Sequence, residues 1–230
     1  MSKSTKIIEF AGLAGSGKTT IVHNLKEFLE SKEKKVITLD DSNNIFKVKD
    51  IFKIIKCINI IEIYRFMKLF SSIKYNKNRK KSIYRMQIKL YIFYKYCKNY
   101  TNYDYALIDH GMIQNFVSLL FNSDVSFKYN IKFKKEIKKI IEFIRPNTII
   151  KTELEIKSAN LRMKTRGRKI CTIEKEKDDI IRYKLFEKDK KNFEEIIDFC
   201  KKELNLNIYS VDTSFDLKKI MDDLIVLLKL

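Results

Sequence analysis

The sequence has little glycine, almost no proline and no tryptophan: 5 Gly, 1 Pro and 0 Trp among 230 residues. Such scarcity excludes a Gly- or Pro-rich linker. No repeat or low-complexity segment interrupts the chain, so residues 1–230 are expected to form one domain with a substantial core. The four cysteines, Cys57, Cys97, Cys171 and Cys200, are scattered without metal-ligand spacing, and free thiols in a reducing cytoplasm are expected. Long apolar runs are missing too. The most apolar region, Ile51 to Phe70, is broken by Lys53, Lys56, Glu62, Arg65 and Lys68, which excludes a membrane span. Met1-Ser2-Lys3-Ser4 shows no signal peptide, so a cytoplasmic location is expected.

Charge, by contrast, is abundant. Lys and Arg number 48 against 29 Asp and Glu, a net charge of +19. An anionic partner (nucleic acid, a membrane surface or a phosphorylated substrate) is one reading. A second is coding bias, since Lys, Asn, Ile, Tyr and Phe are plentiful where Gly, Pro and Trp are not. That reading is favoured over a dedicated nucleic-acid surface.

Three of the five glycines fall in Gly12-Leu13-Ala14-Gly15-Ser16-Gly17-Lys18-Thr19, which matches G-x-x-x-x-G-K-[ST]. The apolar run Lys6 to Ala11 precedes it as a buried strand, and Thr20 to Leu29 follows with helical periodicity. Strand, loop and helix in that order aim the helix's first N–H groups and its positive dipole end at an anionic phosphate. Glycine lets the main chain wrap closely around the phosphates. Residues Gly12 to Thr20 are therefore expected to bind ATP, with Lys18 reaching the β/γ-phosphates and the Thr19 hydroxyl ligating Mg²⁺.

A second strand, Lys34 to Leu39, ends in Asp40-Asp41-Ser42-Asn43-Asn44. These carboxylates and amides either orient an acceptor hydroxyl or make the turn and cap the next helix. From Ile45 to about Tyr100 runs a helical insertion of two packed helices. One apolar face is carried by Ile51, Ile54, Ile55, Ile58, Ile61 and Ile63, the other by Ile83, Met86, Leu90, Phe93, Tyr94 and Cys97. Lys74, Lys77, Arg79, Lys80, Lys81 and Arg85 between them read chiefly as a solvated loop, or else as a grip for an anionic partner. A third strand, Tyr103 to Ile108, ends in Asp109, expected to position the metal or take the acceptor's proton, the alternative being a helix cap. His110 and Gln114 follow as substrate-contact candidates.

Helices are expected over Gln114 to Phe121 and Lys132 to Phe143, and a fourth strand over Thr148 to Thr152 after Arg145-Pro146. A helix over Ile156 to Thr165 leads into Arg162, Lys164, Arg166, Gly167, Arg168 and Lys169. Arginines around a glycine pivot suit a mobile lid, about residues 162–178, whose Arg162, Arg166 and Arg168 clamp the transferring phosphoryl. A surface turn in a Lys-rich chain is the plainer reading. Then come a long helix over Ile173 to Glu203, a fifth strand over Asn207 to Val211, a capping turn at Thr213-Ser214 and a closing helix to Leu228.

With these pieces placed, the chain resembles the P-loop kinases of the thymidylate kinase-like, nucleoside/nucleotide kinase superfamily. The likeness is carried by Gly12–Thr19, Asp109-His110-Gly111 and the Arg162 to Arg168 segment. It covers most of the chain outside Ile45 to Tyr100. His110 stands where such kinases typically have an arginine that contacts phosphate. The Asp40 loop lacks their Pro-Gly substrate motif and is faintly similar to the acceptor loop of adenylyl-sulfate kinases. The resemblance implies a three-layer α/β fold, a parallel five-stranded sheet flanked by helices, with the helical insertion between strands 2 and 3.

The function expected is ATP- and Mg²⁺-dependent phosphoryl transfer to a small acceptor, a nucleoside, nucleotide or related metabolite. The alternative is a nucleotide-gated ATPase or binding module that engages nucleic acid, membrane or a protein through its basic insertion. That Ile-rich insertion lines either an acceptor pocket or a homodimer interface.

Overall fold

Residues 5–41, 59–71, 77–100, 102–123, 126–166 and 172–230 are described by a computed structural model. The strands are β1 (Lys6–Gly12), β2 (Val36–Thr38), β3 (Tyr105–Ile108), β4 (Thr148–Glu153) and β5 (Ile208–Asp212). They form one sheet in the order β2-β3-β1-β4-β5, and every pairing is parallel. Parallel neighbours need long crossovers, which is why helices fall between the strands and cover both faces. The helices are α1 (Lys18–Ser31), α2 (Ile60–Ser71), α3 (Lys77–Tyr100), α4 (Met112–Phe121), α5 (Ile131–Ile144), α6 (Ile156–Arg166), α7 (Thr172–Lys175), α8 (Asp179–Leu204) and α9 (Leu217–Leu228).

Alternation along β1 divides the core in two. Ile8 and Phe10 pack with Leu25 of α1 and Leu224 of α9 on one face. Ile7 and Ala11 face the larger cluster, which contains Tyr94 of α3, Phe116 of α4, Ile140 of α5 and Ile196 of α8. The result is the expected three-layer α/β architecture with β1 at its centre. Among the described residues no helix is long and apolar enough to cross a membrane.

Several expectations are corrected. Among the described residues the insertion's first helix is α2; Ile60 and Ile61 are exposed on it, and its buried side carries Glu62, Phe66 and Leu69, at i, i+4 and i+7. Phe66 meets Tyr91 of α3 edge to face, with ring centroids 5.5 Å apart. Ile51, Ile54, Ile55 and Ile58 lie outside the described residues. On α3, Leu90, Phe93, Tyr94 and Cys97 are buried as expected, whereas Met86 is exposed. Most of the basic run between the helices belongs to the first turns of α3, not to a loop.

The long helix expected over Ile173 to Glu203 is two helices. Asp178 ends the intervening stretch by capping α8, its side chain accepting from Ile180 N and Ile181 N. Arg182 holds that stretch down by donating to the carbonyls of Glu176 and Lys177. The closing helix is capped by Asp216, which accepts from Lys219 N, not by Thr213 or Ser214.

Candidate active site

The loop after β1 exists because main chains approach closely there. A Cβ on Gly12 would lie 2.2 Å from Thr152 Oγ1 and 2.6 Å from the Thr152 carbonyl of β4. Ser16 Oγ then bonds Thr152 Oγ1 at 2.7 Å, anchoring the loop's underside. Gly17 has φ 85°, the left-handed region that glycine enters without strain, and it starts α1 with no side-chain cap. A helix that starts this way directs its uncapped amide end and its dipole into the loop, a ready seat for phosphate.

Lys18 is buried, yet its ammonium is fully engaged. It donates to Gly12 O at 2.9 Å, Leu13 O at 2.8 Å and Ser16 Oγ at 3.4 Å. The charge therefore waits inside the loop on carbonyls that a phosphate oxygen can replace. Thr19 Oγ1 donates to Asp109 Oδ2 at 2.8 Å. Asp109 does not cap α4, whose N-cap is Gly111. A hydroxyl and a carboxylate side by side are the hard oxygens Mg²⁺ takes from protein, the rest of its shell being water and phosphate. Among the described residues no three His, Cys, Asp or Glu side chains gather into a metal cage. One or two protein oxygens fit Mg²⁺ better than the cage that Zn²⁺ requires.

His110 Nε2 lies 4.0 Å from Asp109 Oδ2. Exclusion of water lowers its pKa, and the Lys18 charge adds to that, against the pull of Asp109 and Asp40. Asp40 is thus part of the same electrostatic neighbourhood, and it is exposed. Asp41 is turned inward: its Oδ2 accepts from Thr38 N at 2.9 Å, Thr38 Oγ1 at 2.8 Å and Lys26 Nζ at 3.0 Å. Of the two readings of this turn, Asp41 follows the structural one. Gln114 Oε1 accepts from Gly12 N at 3.2 Å, tying α4 to the end of β1.

On the lid side, Arg162 donates to Thr213 O at 2.8 Å, joining α6 to the turn after β5. Arg166 is exposed at the end of α6. Arg168, Gly167 and Lys169 lie outside the described residues, as do Ser42, Asn43 and Asn44. Leu13, Ala14 and Thr20 surround the loop and the first turn of α1, with Leu13 buried.

Three polar groups escaped sequence reasoning. Asp189 of α8 is 7% exposed and lines a cavity of about 240 Å³ with Lys18, His110 and Gln114. Burial raises its pKa to about 6, and Lys18 opposes the rise. Gln87 of α3 is fully buried, and neither its Nε2 nor its Oε1 has a partner among the described residues. Glu9 of β1 is fully buried, accepting from Ile113 N at 2.7 Å and Tyr94 OH at 2.5 Å. Burial lifts its pKa to about 7, against those hydrogen bonds. A lone Glu in a buried strand was visible in the sequence; Asp189, set in Lys-Asp-Lys-Lys, looked like any solvated helix face. A larger cleft, about 510 Å³, lies at the ends of β4 and β5. There Lys151 already pairs with Glu153 at 2.9 Å and Glu194 at 2.8 Å, so the smaller cavity beside Lys18 is the chemically informative one.

No protein-family profile matches the sequence, and no curated protein sequence matches it. Solved structures do. Deoxyadenosine kinase from M. mycoides, with the products dCMP and a flexible dCDP bound, is 20% identical with a TM-score of 0.53, over 97% of this chain and 98% of that one. The same enzyme with bound dATP gives 19% and 0.52, over 97% and 100%. With bound dCTP it gives 18% and 0.52, over 97% and 98%. The likeness spans nearly the full length of both chains and shows a shared fold.

Proposed function

We propose that this protein is an ATP-dependent kinase of a small acceptor, a nucleoside, nucleotide or related metabolite. Residues 1–230 act as one kinase-like domain with its insertion at about 45–100 and its lid at about 162–178. The observation that carries the reading is the convergence of Lys18 with the Thr19–Asp109 pair. They meet at the carboxyl ends of two adjacent central strands, where open α/β sheets bind their ligands.

In this reading the Gly12–Gly17 backbone and the first turn of α1, through Thr20, cradle the ATP phosphates. Lys18 exchanges the Gly12 and Leu13 carbonyls for β/γ-phosphate oxygens. Thr19 and Asp109 hold Mg²⁺, which neutralises phosphate charge when bound. The acceptor hydroxyl forms a bond to the γ-phosphorus while the bond to the β-bridging oxygen breaks, and ADP leaves. The hydroxyl proton passes to a carboxylate. Asp41 is engaged by Thr38 and Lys26, so Asp40, whose charge reaches His110, is the base of choice. Arg162, Arg166 and Arg168 of the lid clamp the transferring phosphoryl, while His110 and Gln114 border the acceptor.

Gln87 supports a nucleobase in the acceptor. A buried amide with both polar atoms unpartnered pays desolvation for nothing unless a ligand answers it, and an amide pairs two-pronged with a base edge such as adenine. The test is ADP release from Mg·ATP with and without a pool of nucleosides and nucleotides. Release that rises with the pool, and is lost in Lys18→Ala, is the expected result. Slow release indifferent to the pool overturns the kinase reading in favour of a nucleotide-gated module.

A further inference from the structure

The buried carboxyl of Glu9 is used by none of the steps above, yet it joins two regions that such a kinase must keep in register. In the sheet Glu9 pairs with Ile108, the residue before Asp109. Past Asp109 the chain comes back over the same side chain. A Cβ on Gly111 would lie 2.2 Å from Glu9 Cδ, so the backbone there rests directly on the carboxyl. Ile113 N then donates to Oε1. Asp109 is thus bracketed: the residue before it is held by strand pairing, and the residues after it by one side chain of the same strand.

The other carboxyl oxygen reaches α3. It accepts from Tyr94 OH of α3, at 2.5 Å. Gln87 lies seven residues earlier on that helix, hence on nearly the same face and about 10 Å along it. A displacement of α3 at Gln87 therefore reaches Tyr94 along a rigid helix, and reaches the Asp109 turn through the Tyr94 hydroxyl, which bonds both Glu9 and the Met112 amide. The groups around this carboxyl are Tyr94 and Cys97 of α3, Cys200 of α8 and the first amides of α4. No lysine or arginine neutralises it among them, so its geometry rests on hydrogen bonds alone.

Building on the kinase reading, we propose that Glu9 is a positioning residue. Through Tyr94 and Ile113 it couples the Gln87-bearing helix to the placement of Asp109, so that acceptor engagement and phosphate chemistry are set together.

The test uses the full chain with four variants: Tyr94→Phe, Glu9→Gln, Gln87→Ala, and Tyr94→Phe combined with Gln87→Ala. Tyr94→Phe keeps the ring and removes the hydroxyl that bonds Glu9 and the Met112 amide of the turn. Its kcat is expected to fall by about 10- to 100-fold, as misplacement of a catalytic group does, with the KM for ATP little changed. The double variant is expected to fall short of additivity because the two changes break one link. Glu9→Gln retains an acceptor for Ile113 N and can donate to Tyr94, so it is expected to stay within about threefold of the parent, rescuing geometry without the charge. A merely structural role instead lowers stability alone. Unchanged kcat in Tyr94→Phe, or strict additivity with Gln87→Ala, overturns the proposal.

Should the parent show no acceptor-dependent transfer, the kinase reading fails by itself and the coupling is still decided by hydrogen exchange. Added ATP is expected to slow exchange over residues 87–94 in the parent and not in Tyr94→Phe. Equal responses in the two proteins overturn the coupling.

Discussion

Replacing Asp189 by Asn should make the protein more stable at neutral pH and leave it unchanged in acid. The carboxyl is 7% exposed, and burial lifts its pKa from 3.8 to about 6, with Lys18 pulling the other way. The folded state thus holds this proton more tightly than the unfolded chain. Its contribution to stability is complete below about pH 3.8 and is lost as pH rises through about 6. About two pKa units correspond to about 3 kcal/mol in full. Some of that loss has already occurred by about pH 4.5, so the usable span from there to about pH 7.5 carries about 2 kcal/mol. Asn has nearly the same shape and never ionises. The stability difference between Asp189→Asn and the parent should therefore grow by about 2 kcal/mol across that span.

With a urea m-value of about 2 kcal/mol/M, this is a relative shift in unfolding midpoint of about 1 M, easily resolved. The chain has no tryptophan, so far-UV circular dichroism is the natural probe. A difference that stays constant from about pH 4.5 to about pH 7.5 would refute the account of Asp189 as a buried, poorly compensated carboxylate. The result bears on function as well. A residue that costs stability at working pH and shares a cavity with Lys18 is a candidate for a role in the proposed site. Asp189→Asn is accordingly expected to bind ATP more tightly, since a negative charge facing the phosphates is gone; equilibrium dialysis reads this directly.

Gln87→Met removes two buried atoms that have no partner among the described residues, at nearly constant volume. It should stabilise the ligand-free protein by about 1–3 kcal/mol in urea unfolding while raising the acceptor KM. Gly111→Ala places a methyl into a side chain that is itself fixed by Ile113 and Tyr94, and should cost about 2–4 kcal/mol in the same assay. Arg166→Ala should lower kcat by about 10³-fold if the arginine reaches the transferring phosphoryl, and an unchanged kcat removes Arg166 from the lid mechanism.

What could be read in the sequence was whatever is local. Gly12 to Thr19 is contiguous because one turn of backbone must do everything the phosphates need, and the flanking strand and helix announce themselves by period. Asp109 was singled out because it ends a strand, and the fold sets it beside Thr19. The failures share a cause as well. Of the isoleucines that spacing put on the first insertion face, Ile61 is exposed, because packing against α5 and Tyr91 selects Glu62, Phe66 and Leu69, with Ile63 at the edge of the core. Asp178 and Asp216 cap their helices in places where several neighbouring residues, Thr213 and Ser214 among them, are equally good cap formers; tertiary position chose among them. Glu9 and Ile113 are bonded across a sequence separation of 104. No window of local pattern contains both.

The three groups that sequence reading missed are informative for that same reason. Glu9, Gln87 and Asp189 are each almost fully buried, and each is polar where an apolar residue would pack at lower cost. Accidents of packing would be expected to scatter through two core clusters. These do not: Asp189 shares a cavity with Lys18, Glu9 grips the turn that holds Asp109, and Gln87 sits on the helix that Glu9 grips through Tyr94. All three lie on the side of the sheet that carries α3, α4 and α8. That placement fits the proposed acceptor, which would approach the Lys18 loop from this side.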